Sequence, residues 1–399
     1  MGQAKRDWEE YEARGWSAPD KHVCPNCVED EFLKALIQSC VSQRKCDYCG
    51  RRTRDLSAAP VESIMPAVAA ALNYFYAEPT HAGVPYDGGW VFEPTDTADA
   101  LMGVPFDCHD DLFEDIANAF SNTAWISAAD GHWASSHRNE EWSSAWQSFS
   151  EIVKHRSRHF FMSSTAESKS TMRPSPLDVL ELVSGMAARL ELLTSMPKAT
   201  HLYRVRERVG TSDWPICAEQ VGAPPSHLAN AGRMNPAGIS YLYLSMTRGG
   251  ALAEVLRGPP CRAAIATFEL VDTLAVLDLT RLPSLPSVFD EAKHRLREVV
   301  LFLDDFVEDI CQPVQKDGQE HISYVPSQVV SEYFAQVFKT VEGKVLDGIV
   351  YPSAVAPGGV NLALFPRDGG DPFAHAVRFV DGDELALKDW TEFSKTISQ

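Results

Sequence analysis

The stretch GRMNPAGISYLYLSMTRGGALAE, residues 232–254, decides how the second half of this chain is read. Glycines at 232 and 238 bracket Arg233, Asn235 and Pro236. Glycine reaches positive φ without steric cost, and Pro with Asn works against continuing a strand or helix, so this part reads as a loop whose backbone can come close to a ligand. SYLYLSM (240–246) then has the aromatic and aliphatic content of a buried strand, with Tyr241 and Tyr243 on one face. Thr247 is placed to cap a helix running through ALAEVLR (251–257), which sets Glu254 among Ala251, Leu252, Val255 and Leu256. A carboxylate on such an apolar face needs a partner or a chemical task.

Three distant segments keep step with this one: LYRVR (202–206), YVPSQVVSEYFAQ (324–336) and DGIVYPSAVAPGGVNLALF (347–365). Read together, an arginine, a glycine-bracketed arginine, a tyrosine, a glutamate and a serine resemble the RES domain family, named for its Arg, Glu and Ser, over roughly residues 200–366. The resemblance implies an ADP-ribosyltransferase-like α+β fold and NAD as substrate. Position by position it implies that Arg204 and Arg233 contact the pyrophosphate and ribose region, Tyr243 packs on a ring, Glu254 supports the reacting ribose, and Ser353 completes the pocket. Glu254, Arg204 and Ser353 are then the catalytic set, and Arg204, Arg233, Tyr243 and Ser353 the binding set. Arg206 and Arg208 compete with Arg204 for the phosphate.

These residue types suit that chemistry. Breaking the nicotinamide–ribose bond passes through an oxocarbenium-like state, which a carboxylate near the ribose stabilises, and nicotinamide leaves without a general acid. Guanidinium groups bind two oxygens of a diphosphate at once. The family resemblance implies a toxin or defence effector that depletes NAD. It leaves the acceptor open between water, inorganic phosphate and a protein side chain, and a nucleotide-sensing or interaction protein without turnover stands as the alternative.

Of nine cysteines, four form CPNC (Cys24, Cys27) and CDYC (Cys46, Cys49), with eighteen residues between the pairs. Two such knuckles supply four thiolates and close a tetrahedral shell, so a structural zinc is expected there, with no open position for catalysis. Cys40 lies between the pairs as a spare, and Cys108, Cys217, Cys261 and Cys311 are scattered singly, as in a reducing compartment. The net charge of −19 opposes general nucleic-acid binding, and it requires an NAD pocket to create its own positive field. No apolar run reaches membrane-spanning length and the charged start, MGQAKRDWEEYEARGW, lacks signal-peptide character, so a cytoplasmic protein with no membrane partner is expected.

From 60 to 161 the periodicity predicts helices over 64–76, 110–122 and 140–161, with a Pro- and Gly-rich loop at 79–97. This arrangement resembles the HEPN type of helical domain. An arginine followed at that family's nuclease spacing by a histidine is missing, so the region reads as scaffold or sensor. SSTAESKSTMRPSP (163–176) reads as a linker, and a helix over 177–196 follows, capped by Ser175 with Pro176 at its first position. Further on, a hairpin-like pair is expected at 263–271 and 274–279, then a helix over 289–310 within an insertion near 285–320 that offers a self-association face. The expected domains are a zinc ribbon at 1–57, a helical domain and linker at 58–175, and an α+β RES domain at 176–399.

Overall fold

The computed structural model describes residues 14–158, 174–210, 213–312, 318–368 and 371–397. The N-terminal stretch to residue 13 and most of the expected linker at 163–176 lie outside the described residues. The chain forms two compact units, Met1–Glu141 with Ser284–Leu301, and Trp142–Pro283 with Phe302–Gln399.

In the first unit, strand β1 (His22–Val23) pairs antiparallel with β2 (Ala59–Pro60), which closes the segment carrying the two cysteine pairs. Helix α1 (Glu31–Ser39) starts at Asp30, whose carboxylate accepts from the Phe32 and Leu33 amides. Helix α2 (Met65–Phe75) is apolar nearly all round because it is buried nearly all round, including Met65, Val68 and Leu72. Strand β3 (Tyr76–Ala77), helices α3 (Thr97–Met102) and α4 (Asp110–Ala117) and strand β4 (Ile126–Ser127) follow. Helix α4 stops at Ala117, short of the expected 122, and Phe120 instead buries against Trp125. Cys24, Cys27 and Cys46 share one hydrophobic cluster with α2, and Val288 and Phe289, from far along the chain, belong to the same cluster.

The boundary between the units falls within helix α5 (Arg138–His155), most of which belongs to the second unit, and α6 (Pro176–Arg189) follows. Ser175 caps α6 in a reciprocal box with Asp178, as Ser and Pro at its start dictate. The helix expected to reach 196 ends at Arg189. Glu191 turns through φ 56, and residues 193–196 become strand β5 (Leu193–Met196), because a ladder with β9 satisfies their backbone outside the helix.

The remaining strands are β6 (His201–Glu207), β7 (Leu242–Ser245), β8 (Cys261–Leu270), β9 (Leu274–Asp278), β10 (Gly348–Pro352), β11 (Val360–Leu364) and β12 (Val377–Leu387). The helices between and after them are α7 (Ala218–Val221), α8 (Arg248–Val255), α9 (His294–Cys311), α10 (Glu320–Ser323), α11 (Val325–Glu332) and α12 (Trp390–Ile397). Together with β5 the strands form one eight-stranded sheet in the order β12-β8-β6-β7-β11-β10-β9-β5. The protein is therefore α+β, as the sequence predicts.

The expected hairpin does not form. Strands β8 and β9 run through consecutive sequence yet do not pair: β8 lies between β12 and β6, and β9 between β10 and β5. Both strands carry apolar residues into a shared core, Phe268 and Leu270 from β8 with Leu274 and Val276 from β9. The expected helix over 289–310 begins instead at His294, after a 3₁₀ turn at Glu291–Lys293, and the division between the units falls between Leu301 and Phe302 within α9. No helix among the described residues is long and apolar enough to cross a membrane.

Candidate active site

One row of residues across the centre of the sheet makes the floor of the site. Tyr351 on β10 stands opposite Asn361 on β11, Asn361 opposite Ser245 on β7, and Ser245 opposite Tyr203 on β6. All four line a cavity of ≈ 310 Å³ that Arg204, Arg233, Tyr243, Glu254 and Tyr324 also border. Strands β6 and β7 share a single ladder pair, Tyr203 with Ser245, and part company beyond it. Arg204 spans the gap, donating from Nη1 to the Tyr243 carbonyl at 2.9 Å.

Arg204 is a buried charge. Burial lowers its guanidinium to about 10, with Tyr243 opposing and Arg206 adding to the shift. Among the described residues no carboxylate pairs with it. A buried cation with a carbonyl as its partner is costly unless an anion joins it. Its neighbours are spoken for: Arg206 donates to the Gln220 carbonyl and lies over the Trp214 ring, while Arg208 pairs with Asp213 and Glu384. Neither borders the cavity.

Glu254 arrives on α8 as the sequence predicts, with Thr247 capping the helix through the Gly250 amide at 3.1 Å. Gly250 lets the first turn sit against β7, since a Cβ there would stand 2.6 Å from Ser245 Oγ. Glu254 Oε1 accepts from Ser353 Oγ at 2.7 Å and from Asn361 Nδ2 at 2.6 Å. Ser353 Oγ itself accepts from the Val355 and Ala356 amides, which turns its hydrogen towards Glu254. Ser353 thus stands behind the glutamate and does not border the cavity. Oε2 of Glu254 has no partner among the described residues, and the residue borders the open space.

The glycine-bracketed loop is a built structure. A Cβ on Gly232 would lie 2.5 Å from Asn235 Oδ1 and 2.9 Å from Tyr243 Oη. Asn235 Nδ2 donates to the carbonyls of Asn230, Pro236 and Ile239, and its Oδ1 accepts from Tyr243 Oη at 2.7 Å. The Tyr243 hydroxyl also accepts from the Met234 amide, so it is consumed within the loop, while the residue borders the cavity. Burial holds that hydroxyl well above the usual tyrosine range and keeps it neutral. From α11, Ser327 Oγ donates to the Arg233 carbonyl, and Gln328 Nε2 to those of Gly232 and Asn235. The polar residues of YVPSQ therefore grip the loop.

Arg233 Nη1 donates to the carbonyls of Ile310 at 3.0 Å and Gln312 at 2.6 Å, and its guanidinium lies 5.9 Å from the centre of the Tyr324 ring. Those carbonyls are at the C-terminal end of α9, where helix geometry leaves acceptors unfilled and the macrodipole favours a cation. Tyr203, Ser245, Tyr324, Tyr351 and Asn361 border the cavity without having been singled out from the sequence. Their signal is register: four of them occupy one sheet row, which no spacing along the chain reveals.

At the other end of the chain, the Sγ atoms of Cys24, Cys27, Cys46 and Cys49 lie within 4.8 Å of one another. Neighbouring sulfurs are 3.6–3.7 Å apart. A disulfide needs about 2.05 Å. Tetrahedral zinc with bonds of about 2.3 Å separates its sulfurs by about 3.8 Å, so the cluster fits such an ion. Burial pushes the Cys24 thiol up to about 11, a penalty that a bound dication reverses.

The site is thus an α+β domain in which two arginines and a glutamate converge round one cavity, with Ser353 holding the glutamate from behind. By sequence, residues 201–388 match the family described as RES domain, and residues 40–167 match HEPN/RES N-terminal domain 1. No curated protein matches the sequence.

Proposed function

We propose that the cavity binds NAD and cleaves its nicotinamide–ribose bond, and that the chain acts as a toxin or defence effector by depleting NAD. The observation that carries this reading is the pairing of opposites across one small space: a buried guanidinium with no anion, and a carboxylate with one oxygen fixed and the other without a partner, among the described residues. Arg204 and Arg233 take the diphosphate side. Glu254 Oε2 meets the hydroxyls of the reacting ribose and stabilises positive charge as it develops. A cavity of ≈ 310 Å³ is small for a whole dinucleotide and suits its nicotinamide ribose half. Tyr243, Tyr324 and Tyr351 offer ring surfaces for the planar base.

In the reaction the bond between the anomeric carbon and the ring nitrogen breaks, and its electron pair leaves with nicotinamide, which becomes neutral. An acceptor oxygen bonds to the anomeric carbon and its proton passes to solvent. Ser353, in this reading, acts through Glu254 and not by touching the dinucleotide. Zinc held by Cys24, Cys27, Cys46 and Cys49 is structural and takes no part.

Purified protein incubated with NAD should release free nicotinamide, identified by mass. The partner product then names the acceptor: ADP-ribose for water, its phosphate ester when phosphate is supplied, or a mass increase on a protein target. Glu254→Gln should stay folded and lose about a hundredfold or more in rate, as when one preorganised electrostatic contact is removed. Wild-type turnover by that folded variant would defeat the reading, and so would the absence of nicotinamide release by the parent.

A further inference from the structure

Helix α8 is eight residues long and Glu254 lies in its last turn, where backbone hydrogen bonds run out and helix ends fray. Something outside the helix must fix the carboxylate. Ser353 is one support, but its oxygen is anchored to amides of its own turn, at Val355 and Ala356, so it follows that turn. Asn361 is different. It sits inside the sheet on β11, with ladder partners on both sides at Tyr351 and Ser245, and is 5 % exposed.

We infer that Asn361 is a positioning residue which ties Glu254 to the sheet and aims its open oxygen into the cavity. Its Nδ2 reaches Glu254 Oε1 at 2.6 Å, and an amide nitrogen can only donate, so the bond has one sense. Because Ser353 donates to the same oxygen, both supports load Oε1 and leave Oε2 to the substrate. The row Tyr351, Asn361, Ser245 and Tyr203 supplies the fixed frame, since each is held to the next by backbone pairing. Asn361 therefore acts on the rate through Glu254 and contributes little to holding the dinucleotide.

This inference rests on the NAD reading, and its test keeps the two apart. Asn361→Leu removes the donor at similar volume, and Asn361→Asp replaces it with a second carboxylate facing the first. Affinity is measured with a carbocyclic NAD analogue that cannot be cleaved, turnover with NAD, and folding by thermal melting. Analogue affinity should stay within about threefold of the parent, while kcat falls about tenfold or more in the leucine variant and further in the aspartate variant. Parental kcat in either folded variant would overturn the inference, as would a loss of affinity with kcat retained. Failure of both variants to fold would also overturn it, assigning Asn361 to the sheet alone. If the parent cleaves NAD and Glu254→Gln does not, those failures touch Asn361 and not the NAD reading.

Discussion

Arg204 and Arg233 carry the same charge into the same cavity under different terms. Arg233 has carbonyl acceptors at the end of α9 and an aromatic face beside it, whereas Arg204 is buried with the Tyr243 carbonyl as its partner. Replacing a buried cation by an apolar side chain of similar length is often neutral or stabilising, because the desolvation cost disappears. Arg204→Met should therefore melt no lower than the parent, or above it, while losing NAD turnover; a marked drop in Tm would show that the Tyr243 contact is structurally necessary. Arg233→Lys keeps the charge but not the planar fork, and should weaken NAD affinity about tenfold by calorimetry. An unchanged affinity would remove Arg233 from the binding set. The same distinction separates what the residues disclose in sequence. Both arginines stand out by their neighbours in LYRVR and GRMNP, but the burial that makes Arg204 a costly charge depends on strands that are distant in the chain.

At the scale of elements, the loop at 232–238 behaves as one piece. Asn235 ties it to the carbonyls of Asn230, Pro236 and Ile239, Tyr243 closes it from β7, and Gln328 and Ser327 hold it from α11. Gly232 is required by close approach, since its Cβ would displace the Asn235–Tyr243 bond. Gly232→Ala should lower stability by about 1–3 kcal/mol, as overpacking in a tight site does, and should weaken NAD binding because Arg233 is the next residue. Chemical denaturation checks the first and calorimetry the second; a fully stable variant with parental affinity would mean the loop yields without consequence. The turn chemistry of Gly, Asn and Pro was legible in sequence, as were the Thr247 cap and the helix carrying Glu254. The failed hairpin at β8 and β9 was not, because apolar alternation marks a strand without naming its partner.

For the whole molecule, the cysteine cluster reaches further than a separate small module would. Cys24, Cys27 and Cys46 belong to the same hydrophobic cluster as Met65, Leu72 and Phe289, so an ion there braces the core of the first unit. Protein purified without chelators should contain one zinc per chain by elemental analysis. Stripping it, or changing Cys24 and Cys27 to Ser, should lower the melting temperature of the first unit as a whole, because metal binding and folding are coupled. Zinc-free protein with unchanged melting would defeat the assignment. The net charge of −19 adds a second whole-molecule effect, since it repels an anionic substrate at long range. Only local cations in a low-dielectric cavity counter that, and salt weakens the repulsion more than the buried contacts.

Sequence by itself determined the chemistry and the local geometry: cysteine pairs at metal spacing, a glycine-bracketed arginine, a capped helix bearing Glu254, and Ser353 in a turn rich in Pro and Gly. Each is a short-range fact, set by φ preferences, capping and the number of residues between ligands. Tertiary structure alone decided which strands are neighbours, and with them the row Tyr351, Asn361, Ser245 and Tyr203. It also set Ser353 behind the glutamate and not on the cavity wall, and it gave Asn361 a hold on Glu254 from 107 residues away. The physical reason is that side-chain hydrogen bonds across a sheet depend on register between segments, which hydrophobic packing of the whole domain fixes and no local pattern encodes.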